Sequence, residues 1–360
     1  MKQPVPPFTC TYSPNLPELL WDLECTMAIT TYQAGKLVFI SATSPNDLVQ
    51  LPRSFDKPMG IAINGKRLGV ATKNEVIVFA DSPEHAPGYP ENPNTYDHLY
   101  IPRSTYYSGD TDVHDLIWGK PGMMAVNTRF SCLSLIDDEY SFKPFWKPSF
   151  ITEVTPEDRC HLNGLTLQDG MPKYISALGN SNISQGWREN KKNGGVIIDV
   201  PTGEIVCSGL SMPHSPRIYN GKLYTLLSAT GQLVCIDVKT GKYDVINEFD
   251  GFVRGLAQCG DYLFVGLSKL REKSSSFADL PIAKKSLYSG VVVVYLPMGS
   301  IVGHLRYESS VEEIYDVQII PNCRRPGIMN LAKESHRRAI VTPGNTFWAM
   351  TEEDAKNQPI

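Results

Sequence analysis

A strand–turn–strand phrase recurs along the chain and limits what it can fold into. The phrase is clearest in residues 212–237, where an Asn220-Gly221 pair separates two apolar runs and a Thr230-Gly231 pair leads into a third. Asn-Gly pairs favour the two-residue turns that join antiparallel strands. Related phrases begin close to residues 59, 114, 161, 254 and 315. We therefore predict an all-β repeat protein.

Aligning the phrases places one residue of each in a common register: Met59, His114, Asn163, His214, Arg254 and Tyr315. Successive members are about 40 to 60 residues apart, which is the length of a four-stranded propeller blade. Patterns typical of amphipathic helices are nearly absent, which argues against helical repeats. The sequence predicts a β-propeller of about six blades with four strands each.

The two ends of the chain are expected to close the ring. The strand that begins at Tyr315 has no partner strand after it, and the strands between residues 26 and 52 lack a fourth. Pairing the C-terminal strand with these N-terminal strands would remove the open edges that a propeller must protect. If the strand at Thr26 is itself an innermost strand, the count becomes seven. We expect an N-terminal arm at 1–25, one propeller domain at 26–322, and a C-terminal strap or tail at 323–360.

Composition excludes several classes of function. The chain of 360 residues has a net charge of −4 and 20% charged residues, so we expect no binding of nucleic acid or of an anionic membrane. The chain has no apolar run of membrane-spanning length and starts without a signal-like segment, which predicts a cytoplasmic protein. Its eight cysteines are scattered without a Cys-x-x-Cys pair, and we expect buried free thiols.

Polar residues collect where the inner strands begin and the second strands end. In a propeller both positions lie at the same mouth of the central channel. The strand starts supply Asp112, His114, His161, Asn163, His214, Arg254 and Tyr315. The strand ends supply Asn127, Arg129, Asn180, Asn182, Ser228, Ser268, Lys269 and Arg271. We expect these side chains to converge on one candidate site.

Three histidines from three consecutive blades suggest a metal site in this mouth. We predict that His114, His161 and His214 bind a divalent metal ion (Zn, Fe, Mn or Ca), with Asp112 or Asn163 completing the coordination. Two other interpretations stay open. One is a metal-free site in which a histidine is the general base, and the other is a channel lining without chemistry.

The remaining polar residues are assigned to an anionic substrate. Basic residues concentrate near the mouth of an otherwise acidic protein: Arg129, Arg159, Arg217, Arg254, Lys269 and Arg271. Arg254 and Arg129 would hold the anion and Tyr315 would transfer a proton. Predicted substrate-binding residues are Asn127, Asn163, Asn180, Arg217 and Lys269. The loops 179–194 and 268–290 overhang this mouth, either as a lid or as tolerated insertions.

Two functions from different classes fit these residues. The first is a metal-dependent lyase, hydrolase or isomerase that acts on a small or carbohydrate-like anionic substrate. The alternative is a non-catalytic propeller that binds a peptide or protein partner on the same face. The sequence leaves the reaction and the oligomeric state open.

Several phrases resemble a bacterial family of conserved hypothetical proteins of unknown function. They are Val126-Asn127-Thr128-Arg129-Phe130-Ser131-Cys132-Leu133, Glu157-Asp158-Arg159-Cys160-His161-Leu162-Asn163-Gly164-Leu165, Met212-Pro213-His214-Ser215-Pro216-Arg217, and Arg254-Gly255-Leu256-Ala257 with Val265-Gly266-Leu267-Ser268-Lys269. The resemblance covers roughly residues 26–326 and implies a propeller, but it assigns no activity. The layout is also similar, at the level of fold, to gluconolactonase-like and polyuronate lyase propellers, whose sites are centred on a metal.

Overall fold

The computed structural model describes residues 5–270, 277–329 and 331–350, so Arg271 lies outside the described residues. Within them is one α-helix, α1 (Leu16–Asp22), and short 3-10 helices at Pro83–His85, Gly186–Asn190, Pro281–Lys284 and Glu334–Arg337. The strands in chain order are β1 (Cys10–Tyr12), β2 (Cys25–Thr31), β3 (Lys36–Ser44), β4 (Asp47–Ser54), β5 (Ile61–Asn64), β6 (Arg67–Ala71), β7 (Glu75–Asp81), β8 (His98–Tyr107), β9 (Val113–Gly119), β10 (Gly122–Asn127), β11 (Cys132–Leu135), β12 (Lys143–Trp146), β13 (Leu162–Gln168), β14 (Met171–Ala177), β15 (Gly195–Asp199), β16 (Ile205–Leu210), β17 (Pro213–Tyr219), β18 (Lys222–Leu227), β19 (Gln232–Asp237), β20 (Lys242–Glu248), β21 (Phe252–Cys259), β22 (Tyr262–Ser268), β23 (Gly290–Tyr295), β24 (Ser300–Tyr307), β25 (Asp316–Pro321), β26 (Pro326–Ile328), β27 (Ala339–Thr342) and β28 (Asn345–Trp348).

The strands form a six-bladed β-propeller. From the channel outward the blades are β25-β2-β3-β4, β5-β6-β7-β8, β9-β10-β11-β12, β13-β14-β15-β16, β17-β18-β19-β20 and β21-β22-β23-β24, numbered here as blades 1 to 6. Each blade pairs its neighbouring strands antiparallel, and hydrophobic clusters fill the spaces between blades. The predicted fold and the six-blade count are therefore confirmed, and the seven-blade alternative is wrong.

Blade 1 contains both ends of the ring. Strand β25 pairs antiparallel with β2, with Thr30 opposite Asp316 and Cys25 opposite Pro321. Every residue of β2 is buried, because this strand has a hydrogen-bonded neighbour on each side and a blade against each face. The C-terminal strand thus closes the propeller as predicted.

Small residues let the inner strands touch at alternate blade interfaces. Gly60, Gly164 and Gly255 each follow a register residue, and a Cβ added to them would lie 2.9 Å, 3.0 Å and 2.5 Å from a backbone nitrogen of the next blade. Real Cβ contacts are rarely this short, so a larger residue would push the two strands apart. We call these glycines, with the three residues described next, the constriction ring.

The other half of the constriction ring is polar and occupies the intervening blades. Asp316 Oδ2 accepts a hydrogen bond from the backbone N–H of Ile61 at 2.9 Å. Asp115 Oδ2 does the same for Leu165 at 3.0 Å. Ser215 Oγ accepts from Gly255 N–H at 3.0 Å. Glycine contacts and side-chain hydrogen bonds therefore alternate around the channel and join each blade to the next.

Both chain ends cover outer edges of blades. Strand β1 pairs with β24, and α1 buries Leu16 and Leu20 in a hydrophobic cluster beside blade 1. Strand β26 pairs in parallel with β8, and Asp97 accepts backbone hydrogen bonds from Arg324 and Arg325 at the start of this strap. Outer strands with such covers expose fewer unpaired backbone groups.

Two further observations bear on the sequence predictions. All eight cysteines lie in the described part of the chain as free thiols, and five of them are buried. No helix of the described residues is long and apolar enough to cross a membrane.

Candidate active site at the channel mouth

A cavity of about 200 Å³ opens at the end of the channel where the inner strands begin. Its lining includes four register residues: His114, His214, Arg254 and Tyr315. It also includes the residues two positions before the register: Asp112, His161, Met212, Phe252 and Glu313. Both sets of residues thus reach the same space from the start of the inner strands. We call this cavity the mouth pocket.

The chain enters four consecutive blades through a left-handed residue. Lys57, Asp112, His161 and Met212 each lie two positions before the register, with φ of +47°, +54°, +52° and +55°. A non-glycine residue in this region is uncommon and persists where its surroundings hold it. The same backbone turn therefore brings a different residue to the mouth pocket from blades 3, 4 and 5, and brings Lys57 to a neighbouring cavity.

His161 is held in a hydrogen-bonded chain with Asp158 and Trp187. Its Nδ1 lies 2.9 Å from both carboxylate oxygens of Asp158. Asp158 Oδ2 also accepts from Trp187 Nε1 at 2.9 Å, and the Trp187 ring lies 4.3 Å from the imidazole between centroids. A carboxylate only accepts, so Nδ1 carries a proton, and Nε2 of His161 makes no hydrogen bond with the described residues.

His114 and His214 are buried neutral imidazoles. Nδ1 of His214 donates to the Met212 carbonyl at 2.9 Å and lies 2.7 Å from Ser228 Oγ. Nδ1 of His114 donates to the Asp112 carbonyl at 3.1 Å. Burial lowers the pKa of His114 to about 4, despite the opposing charge of Asp112, and lowers the pKa of His214 well below its usual value. Each ring thus leaves Nε2 unprotonated near neutral pH.

Tyr315 and Arg254 pack against each other beside these histidines. The guanidinium carbon of Arg254 lies 3.9 Å from the centroid of the Tyr315 ring, and its Nη1 lies 3.3 Å from Glu313 Oε1. The Tyr315 side chain is 5% exposed, and its hydroxyl has no hydrogen-bond partner among the described residues. Burial raises the pKa of Tyr315, so the hydroxyl keeps its proton. A buried hydroxyl without a partner is costly unless a ligand satisfies it.

Part of the mouth pocket is lined by apolar side chains. Trp187, Phe252 and Phe277 line the mouth pocket together with aliphatic neighbours, and they belong to one hydrophobic cluster. Trp187 comes from the loop 179–194, and Phe277 from the loop that follows β22. Asp279 joins the two loops, since Lys191 and Lys192 lie 2.8 Å and 3.0 Å from its carboxylate. The two loops predicted to overhang the mouth thus meet there.

Several predicted substrate residues lie outside the mouth pocket. Asn127 and Asn163 are buried in the blades, and Asn127 Oδ1 accepts from the backbone N–H of Phe130. Asn180 is exposed and does not line the mouth pocket, whereas Lys269 does. The sequence register alone could not separate these cases, because it does not show how far each strand end tilts toward the channel.

Of the described arginines predicted to lie at the mouth, three lie outside the mouth pocket. Arg217 lies deeper in the channel, where its guanidinium pairs with Asp115 at 2.9 Å and donates to the Leu165 carbonyl. A β-bulge between His214 and Arg217 shifts its register. Arg159 pairs with Glu157 at 2.7 Å. Arg129 lines a neighbouring cavity rather than the mouth pocket.

Sequence reasoning missed Asp158, Trp187, Phe252 and Phe277. Asp158 precedes His161 by three residues, and a carboxylate at this spacing was the available signal. The aromatic residues come from long loops or sit two positions before a register residue, where an apolar side chain suggests core packing.

The spacing of the donor atoms does not match a compact metal centre at the histidines. Among the described residues, three potential ligand atoms lie within 4.8 Å of one another at Asp97, His98 and Cys323, under the C-terminal strap. Hydrogen bonds to Asp81 and to the Asn322 backbone raise the pKa of His98. The imidazole of His98 therefore serves as a hydrogen-bond donor there rather than as a metal ligand. Nε2 atoms of histidine are suitable metal ligands, but those of His114, His161 and His214 do not form a group within 4.8 Å of one another.

Comparison with known proteins establishes the family and agrees with the fold. Residues 14–329 match the family described as a domain of unknown function, DUF4915, so the chain belongs to that family. No curated protein matches the chain. A chain from the crystal structure of a nidogen/laminin complex is similar with a TM-score of 0.54 and 10% identity, over 83% of this chain and 99% of that one. The Neurospora crassa Pan2 WD40 domain gives a TM-score of 0.39 at 14% identity, over 68% and 64% of the two chains. At 10% identity the likeness to the chain from the nidogen/laminin complex concerns the fold alone.

Proposed function

We propose that this member of the DUF4915 family is an enzyme, a lyase, hydrolase or isomerase, that binds a small anionic substrate in the mouth pocket and moves a proton there. The observation that carries the proposal is the pairing of a proton acceptor with a proton donor. His161, oriented by Asp158, offers a free Nε2, and Tyr315 offers a buried hydroxyl without a partner. Acid/base catalysis needs both groups beside one substrate.

The charges around the mouth support an anionic substrate. Six basic side chains line the mouth pocket and the cavity beside it, against three carboxylates, in a chain whose net charge is −4. Lys269 has no ion-pair partner among the described residues, so its ammonium group is available to a ligand. Arg254 would hold the same ligand from the Tyr315 side. The aromatic wall opposite suits a substrate with a flat or apolar part, such as the face of a sugar ring.

The experiment is a search for turnover with matched variants. Purified protein is incubated with uronates, aldonates, hydroxy acids and phosphate esters, and the mixtures are followed by proton NMR. We expect His161→Gln and Tyr315→Phe to lower kcat/KM of any reaction found by about 10²- to 10⁴-fold. The controls His304→Gln and Tyr243→Phe lie on the outer strands β24 and β20 and should retain parent activity. Full activity in His161→Gln would refute its role as the base.

A divalent metal ion (Zn, Fe, Mn or Ca) at His114, His161 and His214 is the second candidate for the same pocket. The three Nε2 atoms, none of which makes a hydrogen bond with the described residues, favour it, and a metal would act there as a Lewis acid or activate a water molecule. Elemental analysis of protein purified without chelator or histidine tag tests this proposal. About one metal per chain that is lost in His161→Ala would support it. No metal in the parent, even after reloading, would leave acid/base chemistry.

The alternative function is binding of a peptide or protein partner at the mouth without catalysis. It would be indicated if anions bind at the mouth, yet the search finds no turnover and the variants change only affinity.

A further inference from the structure

A second cavity of about 280 Å³ adjoins the mouth pocket on the side of blades 1 to 3. Tyr32 and Asp112 line both cavities, so the two spaces are neighbours with these residues between them. The second cavity is otherwise lined by Lys57, Lys73, Arg129, Met59 and Asp110. We call it the basic cavity.

Its lysines make no direct ion pair with the described residues, although two carboxylates, Asp110 and Asp112, line the same cavity and Asp110 pairs with Arg129. The ammonium groups of Lys57 and Lys73 make no ion pair and no hydrogen bond with the described residues, and Lys57 lies 5.5 Å from the ring centroid of Tyr32. Lys57 has a left-handed backbone, with φ of +47°, and lines the basic cavity. Two half-buried cations that converge without a partner repel each other, and an anion between them would relieve this repulsion.

Arg129 supplies the third positive group. Its Nη2 lies 2.9 Å from Asp110 Oδ2, while its buried Nε has no hydrogen-bond partner among the described residues. A guanidinium with an unused donor next to two ammonium groups suits an oxyanion with several acceptor oxygens.

We propose that Lys57, Lys73 and Arg129 form a second subsite for a phosphate or sulfate group, so that the substrate spans both cavities with an anionic group at each end. The substrate class rests on the proposed function, whereas the anion subsite is independent of it. The substrate class is then a small sugar-like or aromatic acid that carries a phosphate or sulfate ester. Lys269 and Arg254 would hold its other anionic group in the mouth pocket.

Binding of inorganic phosphate and inorganic sulfate to the full chain tests the subsite. Isothermal titration calorimetry at low ionic strength compares the parent with the double variant Lys57→Ala/Lys73→Ala. The matched control is Lys66→Ala/Lys242→Ala, which removes the same charge from exposed residues at the opposite face, one in the turn between β5 and β6 and one at the start of β20. We expect the double variant to bind at least about tenfold more weakly, the control to bind like the parent, and added salt to weaken the parent.

Each result decides the proposal. Tight phosphate with weak sulfate identifies a phosphate subsite, and the reverse identifies a sulfate subsite. If the parent binds neither anion, or if Lys57→Ala/Lys73→Ala binds as tightly as the parent, the subsite is refuted. Arg129→Gln provides a second variant, which should also weaken binding without altering the melting temperature. Anion binding scores the subsite and turnover scores the proposed catalysis, so failure of the subsite and failure of the proposed function give different results.

Discussion

Replacing Gly255 with alanine should destabilise the propeller through two separate effects. Gly255 has φ of +78°, and a Cβ would lie 2.5 Å from the backbone nitrogen of Val317 in blade 1. The left-handed backbone costs an alanine about 1–2 kcal/mol. Forcing apart two closely packed strands costs about 1–3 kcal/mol more. We therefore expect the free energy of unfolding to fall by about 2–5 kcal/mol.

Two other glycines separate these effects. Gly221 has φ of +73° with no atom within 4 Å of the added Cβ, so Gly221→Ala measures the backbone cost alone. The φ of Gly164 lies outside the left-handed region, but its Cβ would lie 2.6 Å from Pro216 Cδ and 3.0 Å from Ser215 N. Gly164→Ala therefore measures the steric cost alone.

Urea unfolding followed by tryptophan fluorescence provides the three free energies. The loss for Gly255→Ala should exceed the loss for Gly221→Ala and approach the sum of the other two. A Gly255→Ala protein that is no less stable than Gly221→Ala would refute the close contact between blades 6 and 1 on which the constriction ring rests.

Two further predictions concern charged groups. Arg217→Leu leaves Asp115 buried without its partner and should lower the free energy of unfolding in urea by about 3–5 kcal/mol. Arg129→Leu removes an exposed ion pair and should lower it by about 0–1 kcal/mol. Equal losses would contradict the placement of the two arginines. The second prediction concerns pH: His114 binds a proton below about pH 6.5 in the unfolded chain but only near pH 4 in the folded protein. The free energy of unfolding should therefore fall as the pH drops from about 6.5 to 4, by up to about 3 kcal/mol for this group. Comparison of unfolding at pH 7.5 and 4.5 should show a smaller difference in His114→Gln than in the parent, and an unchanged difference would argue against burial of a neutral imidazole.

The fold was readable from the sequence because each blade repeats one local rule. The pairs Asn64-Gly65, Asp169-Gly170 and Asn220-Gly221 mark inner hairpins of three blades, and the register from Met59 to Tyr315 marks the inner strands. The closure of blade 1 also followed, since an unpaired strand at one end of the chain needs the strands at the other. These features depend on turn chemistry and strand periodicity, which neighbouring residues determine.

The candidate site was only partly readable. The register correctly brings His114, His214 and Tyr315 to one mouth, because strand periodicity fixes the side they share. It could not exclude Arg217, whose position depends on a bulge within its own strand. Nor could it find Trp187, since a long loop places that residue over His161 through tertiary contacts that no local pattern records.

The constriction ring connects the fold to the proposed chemistry. Each ring member directly follows a register residue, so the contacts that join the inner strands also fix the backbone from which His114, His214, Arg254 and Tyr315 project. Directly below them, Arg217 and Asp115 occupy the channel as a buried ion pair. A ligand would therefore reach His161 and Tyr315 from the mouth, between the loops joined by Asp279 and the basic cavity. In the proposed function, the inner strands would position the proton-transfer groups, and the two loops and the lysines at the mouth would select the substrate.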